Sequence, residues 1–160
     1  MHNSIFISFL FTFSSRTSKG LKIFAGDART KLNSIKTDSI IMDFLKKNAV
    51  KFLEKAEESY NRSEYNFAVF FAEQSLQLFL KYLIGKKYGE FPKTHNLRIL
   101  FELTESDDLM NLYRHNLDTV RELELSYVAS RYMDVEYSKE AALKCIKLVM
   151  KVKEVIESDP

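Results

Sequence analysis

The scarcity of glycine and proline constrains this fold more than any other feature of the chain. Of 160 residues only four are glycine, and residues 90–159 contain no glycine and a single proline, Pro92. So few helix breakers over such a length indicate long helices joined by few turns. The same scarcity disfavours the glycine-rich loops that bind phosphate in P-loop and dinucleotide-binding enzymes, because those loops need backbone conformations that other residues resist.

Apolar residues at three- and four-residue spacing predict where the helices lie. The expected helices, the fourth of them continuous or broken, cover residues 43–59, 64–84, 95–102, 107–129 and 138–157. Thr94 and Ser106 are the predicted N-caps. Gly85 and Gly89 are expected to end the second helix. Together these elements predict an all-α, four- to five-helix up-down bundle.

The second predicted helix is unusual because most of its circumference is apolar. Its polar residues form one narrow stripe that consists of Glu73, Gln74, Gln77 and Lys81. A helix of this kind must be covered on several sides, so it either forms the centre of the bundle or also meets another subunit. We therefore expect a homodimer.

The first 42 residues differ from the rest of the chain. They carry an excess of basic residues and a short apolar run, residues 5–13, far below the roughly 20 residues that span a bilayer. The run also lacks the preceding positive charge of a secretory signal, so no membrane association is expected. We predict a weakly ordered leader over residues 1–42, with Met42 as a possible true start, and one bundle domain over residues 43–160. A targeting or membrane-contacting role, or a small added strand or helix, is the alternative for the leader.

Metal, cofactor and thiol chemistry are poorly supported. The three histidines have no metal-ligand spacing, so we expect neither a metal nor a cofactor. The only cysteine, Cys145, lies on an apolar helix face, where a thiol is buried and inert. A lone cysteine forms no internal disulfide and suits a reducing compartment, which favours a cytoplasmic protein.

The candidate site lies between the last two predicted helices. Its candidate ligand-binding residues are Tyr127, Arg131, Tyr132 and Asp134. An arginine presents a planar fork to phosphate or carboxylate, and tyrosines offer base stacking or hydroxyl hydrogen bonds. The alternative is structural: Arg131 pairs with Asp134 or another acid, and the tyrosines close the end of the bundle.

Three segments of the chain resemble the HEPN domain family, a nucleotide-binding helical bundle of higher eukaryotes and prokaryotes. They are the opening helix pair, the sequence KTHNLRILF and the sequence ASRYMDV, at residues 48–84, 93–101 and 129–135. The resemblance implies a compact bundle that dimerises around a groove. It also implies RNA or a nucleotide as ligand, or a minimal nucleotidyltransferase as partner in a toxin–antitoxin type system.

The chain departs from the family in one motif. Many members are metal-independent ribonucleases that use an arginine and a histidine separated by four to six intervening residues. After Arg131, the residues at those positions are Glu136, Tyr137 and Ser138. The leading hypothesis is therefore a binding module rather than an enzyme. The alternatives are a ribonuclease that uses Arg131 with Glu136 or Tyr137 as proton carrier, and a purely structural scaffold.

Overall fold

The structure is a computed structural model. It describes the backbone of residues 28–132 and 135–158 and the side chains of residues 39–129 and 135–158. The chain divides into two compact units, Met1–Ile35 and Lys36–Pro160. In the first unit the described part is helical backbone from Ala28 onward.

Within the described residues the chain forms six helices and no strand. In chain order they are α1 (Ala28–Asn61), α2 (Tyr65–Tyr88), α3 (Leu97–Thr104), α4 (Asp107–His115), α5 (Leu117–Tyr132) and α6 (Lys139–Ser158). The predicted all-α bundle is confirmed, and the fourth predicted helix is broken between α4 and α5. The predicted start of the first helix at Asp43 was wrong. No glycine or proline follows Gly26 until Gly85, so nothing in the sequence prevents α1 from beginning at Ala28.

Helices α1 and α2 form an antiparallel hairpin. Ser75 Oγ donates a hydrogen bond to the carbonyl oxygen of Ala49 at 2.8 Å, and the rings of Phe52 and Phe71 stack with centroids 6.1 Å apart. Later residues of α1 thus lie opposite earlier residues of α2. Ala49 is fully buried, and its small side chain lets the two backbones approach closely.

Gly85 does not end α2, contrary to the prediction. It is buried, and a Cβ atom at this position would collide with Sδ of Met42 and lie 3.5 Å from the ring of Phe91. The glycine therefore serves close packing inside the helix. The helix ends instead at Gly89, which has a left-handed φ of 78° and donates its N–H to the carbonyl oxygen of Gly85.

N-caps define the two short helices. Asn96 caps α3, since its side-chain oxygen accepts a hydrogen bond from the N–H of Ile99 at 2.9 Å. The predicted cap, Thr94, instead accepts from the N–H of Asn96 at 3.1 Å. The predicted cap of α4 is confirmed, because Ser106 Oγ accepts from the N–H of Leu109.

Helix α2 lies at the centre of the bundle. It packs against α3, α5 and α6 in addition to α1. Its fully buried apolar residues include Val69, Ala72, Leu76, Phe79 and Leu80. By length and composition alone α2 could cross a membrane, but 67% of its most apolar stretch is buried inside the fold. Burial of this extent is typical of the core helix of a bundle.

Candidate functional site

The polar stripe of α2 faces the interior of the bundle. Glu73, Gln77 and Lys81 have exposed fractions of 0%, 5% and 8%. The carboxylate of Glu73 accepts hydrogen bonds from the side-chain amides of Gln77 and, at 2.6 Å, of Gln74. Because a buried charge without partners is costly, these bonds are what permit an acid at this position. The stripe is a hydrogen-bonded cluster rather than a solvated helix face.

His95 connects this cluster to the surface. Its Nδ1 atom lies 2.9 Å from Oε1 of Gln77, and the residue itself is exposed. Because the amino group of Gln77 donates to Glu73, its carbonyl oxygen accepts the hydrogen bond that Nδ1 of His95 donates. This hydrogen bond fixes the orientation of the imidazole ring at the surface end of the cluster.

Tyr127 of α5 stacks on His95. The ring centroids are 5.0 Å apart and the planes differ by 18°. A second contact fastens the same loop to α5, because Oε1 of Glu124 accepts a hydrogen bond from the N–H of Leu97 at 2.8 Å. The segment that carries His95 is thus attached to α5 at two points. Arg131 follows Tyr127 by one turn of that helix.

Burial shifts the pKa of both ionisable residues in the stripe. It raises the pKa of Glu73 to about 7, although the hydrogen bonds from Gln77 and Gln74 and the charge of Lys81 act in the opposite direction. Burial lowers the pKa of Lys81, which the charge of Glu73 partly offsets. Glu73 therefore changes its protonation state near neutral pH, within hydrogen-bonding distance of the residue that orients His95.

The predicted ligand-binding residues are placed unevenly. Tyr127 belongs to the cluster. Arg131 and Tyr132 lie in the last turn of α5, but their side chains lie outside the described residues, as does the whole of Asp134. Their roles stay predictions that rest on the sequence.

Tyr137 and Glu136, the two candidate proton carriers, follow the end of α5. The Tyr137 hydroxyl donates to the carbonyl oxygen of Glu122 at 3.0 Å, and its backbone N–H donates to Oδ1 of Asn66 at 2.9 Å. Burial, with the charges of Cys145 and Glu122, raises the pKa of Tyr137 to about 12. A phenol with this pKa stays protonated at neutral pH and is a poor general base. Glu136 is exposed.

Cys145 is fully buried, as its position on an apolar face predicts. Burial and the neighbouring Glu122 carboxylate, 3.9 Å from Sγ, raise the pKa of the thiol to about 12. Such a thiol is neither a good nucleophile nor a good metal ligand. Across the residues that the structure describes, no three His, Cys, Asp or Glu side chains are grouped so as to hold a metal ion.

Glu73, Gln77 and His95 were not site candidates from the sequence alone. The available signal was the pairing of an acid and an amide one turn apart, Glu73 and Gln77, in an otherwise apolar helix. Such a pair suggests a buried partner elsewhere. His95 lies in the second of the segments that resemble a known family, and its partner Gln77 lies in the first.

Comparisons with known proteins identify one family. The HEPN domain model matches residues 42–159. The chain is similar to the crystal structure of ST0689, an archaeal HEPN homologue, with a TM-score of 0.54 and 21% identity over 72% of this chain and 94% of that one. At this identity the similarity shows the fold alone. No curated protein matches the chain.

Proposed function

Because this chain belongs to the HEPN domain family, we propose that it is a cytoplasmic, homodimeric module that binds RNA or a nucleotide where His95 stacks on Tyr127. One observation carries the proposal. Gln77 of the opening helix pair, His95 of the KTHNLRILF segment and Tyr127, just before ASRYMDV, form one continuous chain of contacts. Stacked aromatic rings at the surface suit a planar nucleic-acid base.

The last turn of α5 supplies the remaining contacts in this proposal. Arg131 and Tyr132 lie about one helical turn after Tyr127 in that helix. An arginine guanidinium binds phosphate through two parallel hydrogen bonds, and a tyrosine ring stacks on a base. We assign the phosphate to Arg131, and the base to Tyr127 and Tyr132, with Asp134 as a neighbouring acceptor.

Binding of fluorescently labelled single-stranded RNA and of mononucleotides to the full chain tests this proposal. We expect Tyr127→Leu to weaken binding by about fivefold to 150-fold, which is the range for loss of one base–aromatic stack. Tyr127→Phe keeps the ring and should bind nearly as the wild type does. Tyr88→Leu, which removes an exposed tyrosine at the far end of α2, is the matched control.

Equal affinity of the wild type, Tyr127→Leu and His95→Ala for every RNA and nucleotide would overturn the proposal. Circular dichroism of each variant checks that the helical content is unchanged. Arg131→Ala should weaken binding of RNA, and the loss should shrink as salt rises, because a phosphate contact is screened.

A nucleotidyltransferase partner and a toxin–antitoxin role are supported here only by family membership. Co-purification of a minimal nucleotidyltransferase with this chain tests the first. The ribonuclease alternative is weakened by the hydroxyl of Tyr137, which is engaged with a backbone carbonyl and has a pKa of about 12. Glu136 remains as its proton carrier, so cleavage of RNA in the presence of a chelator, abolished by Glu136→Gln, would favour the enzyme.

A further inference from the structure

The first turn of α2 exposes an aromatic ring. Phe67 is 60% exposed, although it lies on the central helix of the bundle. Its ring stacks on Phe71 with centroids 6.4 Å apart, and Phe71 stacks in turn on Phe52 of α1. Phe67 is therefore the outer member of a row of rings that the core supports, and it forms a firm ridge at the surface.

A groove lies on each side of this ridge. The first, with a volume of about 270 Å³, runs along the hairpin turn between Phe67 and Lys55. The second, of about 340 Å³, runs from Phe67 past Asn66 to Glu136 and Tyr137. A ridge with a groove beside it can fit an identical surface turned by a two-fold rotation, because each ridge then enters the groove of the other copy.

The charges around the first groove are of both signs. They are Lys55 and Arg62 on the basic side, and Glu58 and Glu64 on the acidic side. Within the part of the chain that the structure describes, Glu58, Arg62 and Glu64 take part in no salt bridge. A mixed surface does not suit a polyanion such as RNA. It does suit a second copy, since a two-fold axis can set the basic side of each copy against the acidic side of the other.

We propose that Phe67 and its two grooves form the interface between two copies of this chain. The inference rests on the homodimer of the proposed function and names the surface that forms it. A stable homodimer buries on the order of 800 Å² per partner, more than one side chain offers, so the contact spans both grooves. Because Glu136 and Tyr137 line the second groove, the second copy also covers these two residues, which precede α6.

Light scattering of the full chain over a concentration series provides the first test. The wild type should be a dimer. Phe67→Asp should raise the dimer dissociation constant by about thirtyfold or more, the effect expected for an aromatic hot spot. Val128→Asp is the matched control, because Val128 is an apolar side chain of similar exposure, 48%, on α5.

A charge-reversal pair provides the second test. The variant K55E/R62E makes the rim of the first groove wholly acidic, and E58K/E64K makes it wholly basic. Each variant alone should dimerise at least about tenfold more weakly than the wild type, because like charges then meet across the axis. Mixed together they should form a heterodimer, which tagged copies and light scattering detect.

Three results would overturn the inference. They are a wild type that stays monomeric at all concentrations, a Phe67→Asp variant with the wild-type dissociation constant, and charge-reversed variants that do not combine. Loss of the dimer in Val128→Asp but not in Phe67→Asp would place the interface on α5 instead. Binding of RNA or nucleotide is measured separately with Tyr127→Leu. A negative result for this interface therefore does not decide whether the binding proposal is correct.

Discussion

The middle and the first turn of helix α2 distribute polar and apolar residues in opposite ways. In the middle, Glu73, Gln77 and Lys81 are buried among apolar neighbours, whereas in the first turn the ring of Phe67 is exposed. A buried polar cluster is an informative departure from ordinary packing, and so is an exposed aromatic ring when grooves on both sides extend it into a larger surface. One helix thus contributes to two regions. Its middle supports the proposed ligand site from inside the bundle, and its first turn forms the proposed docking surface on the outside.

The two regions differ in what stabilises them. Glu73 is tolerated because two amides donate to its carboxylate, so this region depends on hydrogen bonds formed within one chain. The ring of Phe67 makes little packing contact within its own chain beyond the stack on Phe71. Substitutions in the middle of α2 should therefore change the free energy of unfolding of the monomer, and those at Phe67 should change the affinity between two copies.

The largest effect is expected from a direct comparison of two phenylalanines on α2. Phe79 is fully buried, so Phe79→Ala should lower the free energy of unfolding by about 3–5 kcal/mol. Phe67→Ala should lower it by less than about 1 kcal/mol, because an exposed ring loses little packing. Urea unfolding at a protein concentration below the dimer dissociation constant measures both. Equal losses would mean that Phe67 is as much a core residue as Phe79.

The second effect concerns pH and Glu73. Its pKa in the folded chain, about 7, lies above the ordinary 4.5 that it has when unfolded. Between these values the folded chain binds more protons than the unfolded chain, so the free energy of unfolding falls as pH rises from about 4.5 to about 7. Glu73→Gln removes this dependence and should be more stable than the wild type at pH 8 by about 3 kcal/mol.

Guanidinium unfolding at pH 5, 6, 7 and 8 measures this slope. Glu54→Gln changes an exposed glutamate on α1 that lines neither groove, so it is the control and should keep the wild-type pH dependence. Lys81 acts in the opposite sense and toward higher pH, because its pKa is lowered in the folded chain. An identical slope for the wild type and Glu73→Gln would show that Glu73 titrates as an exposed acid does.

The sequence predicted the helices of this bundle well, because the spacing of apolar residues and the scarcity of glycine and proline are local signals. It predicted the polar stripe of α2 but not that the stripe faces inward. Periodicity shows which residues share a helix face, whereas the neighbours of that face depend on tertiary packing. The sequence also suggested that Gly85 ends α2. Its actual role, to admit Met42, involves a residue more than forty positions away in the chain.

The candidate site was predicted in part. Tyr127 was selected because tyrosines near an arginine suggest ligand binding, and it does belong to the cluster. His95 was not selected, since a lone histidine has no pattern of its own, and its stacking on Tyr127 arises only when loop and helix meet. Gln77, which orients His95, was assigned only to a polar stripe. The chemistry of this site depends on contacts between segments, which a single sequence does not reveal.

The smallest effect tests the loop that carries His95. Asn96 caps α3, so Asn96→Ala should lower the free energy of unfolding by about 1 kcal/mol. Thr94→Ala should cost less, because its hydroxyl accepts only from the N–H of Asn96, in an exposed turn. Because Asn96 adjoins His95, its loss should also weaken ligand binding, whereas the Phe67 surface and dimerisation should be unaffected. A dimer weakened by Asn96→Ala would mean that the inner cluster and the outer surface of α2 are coupled.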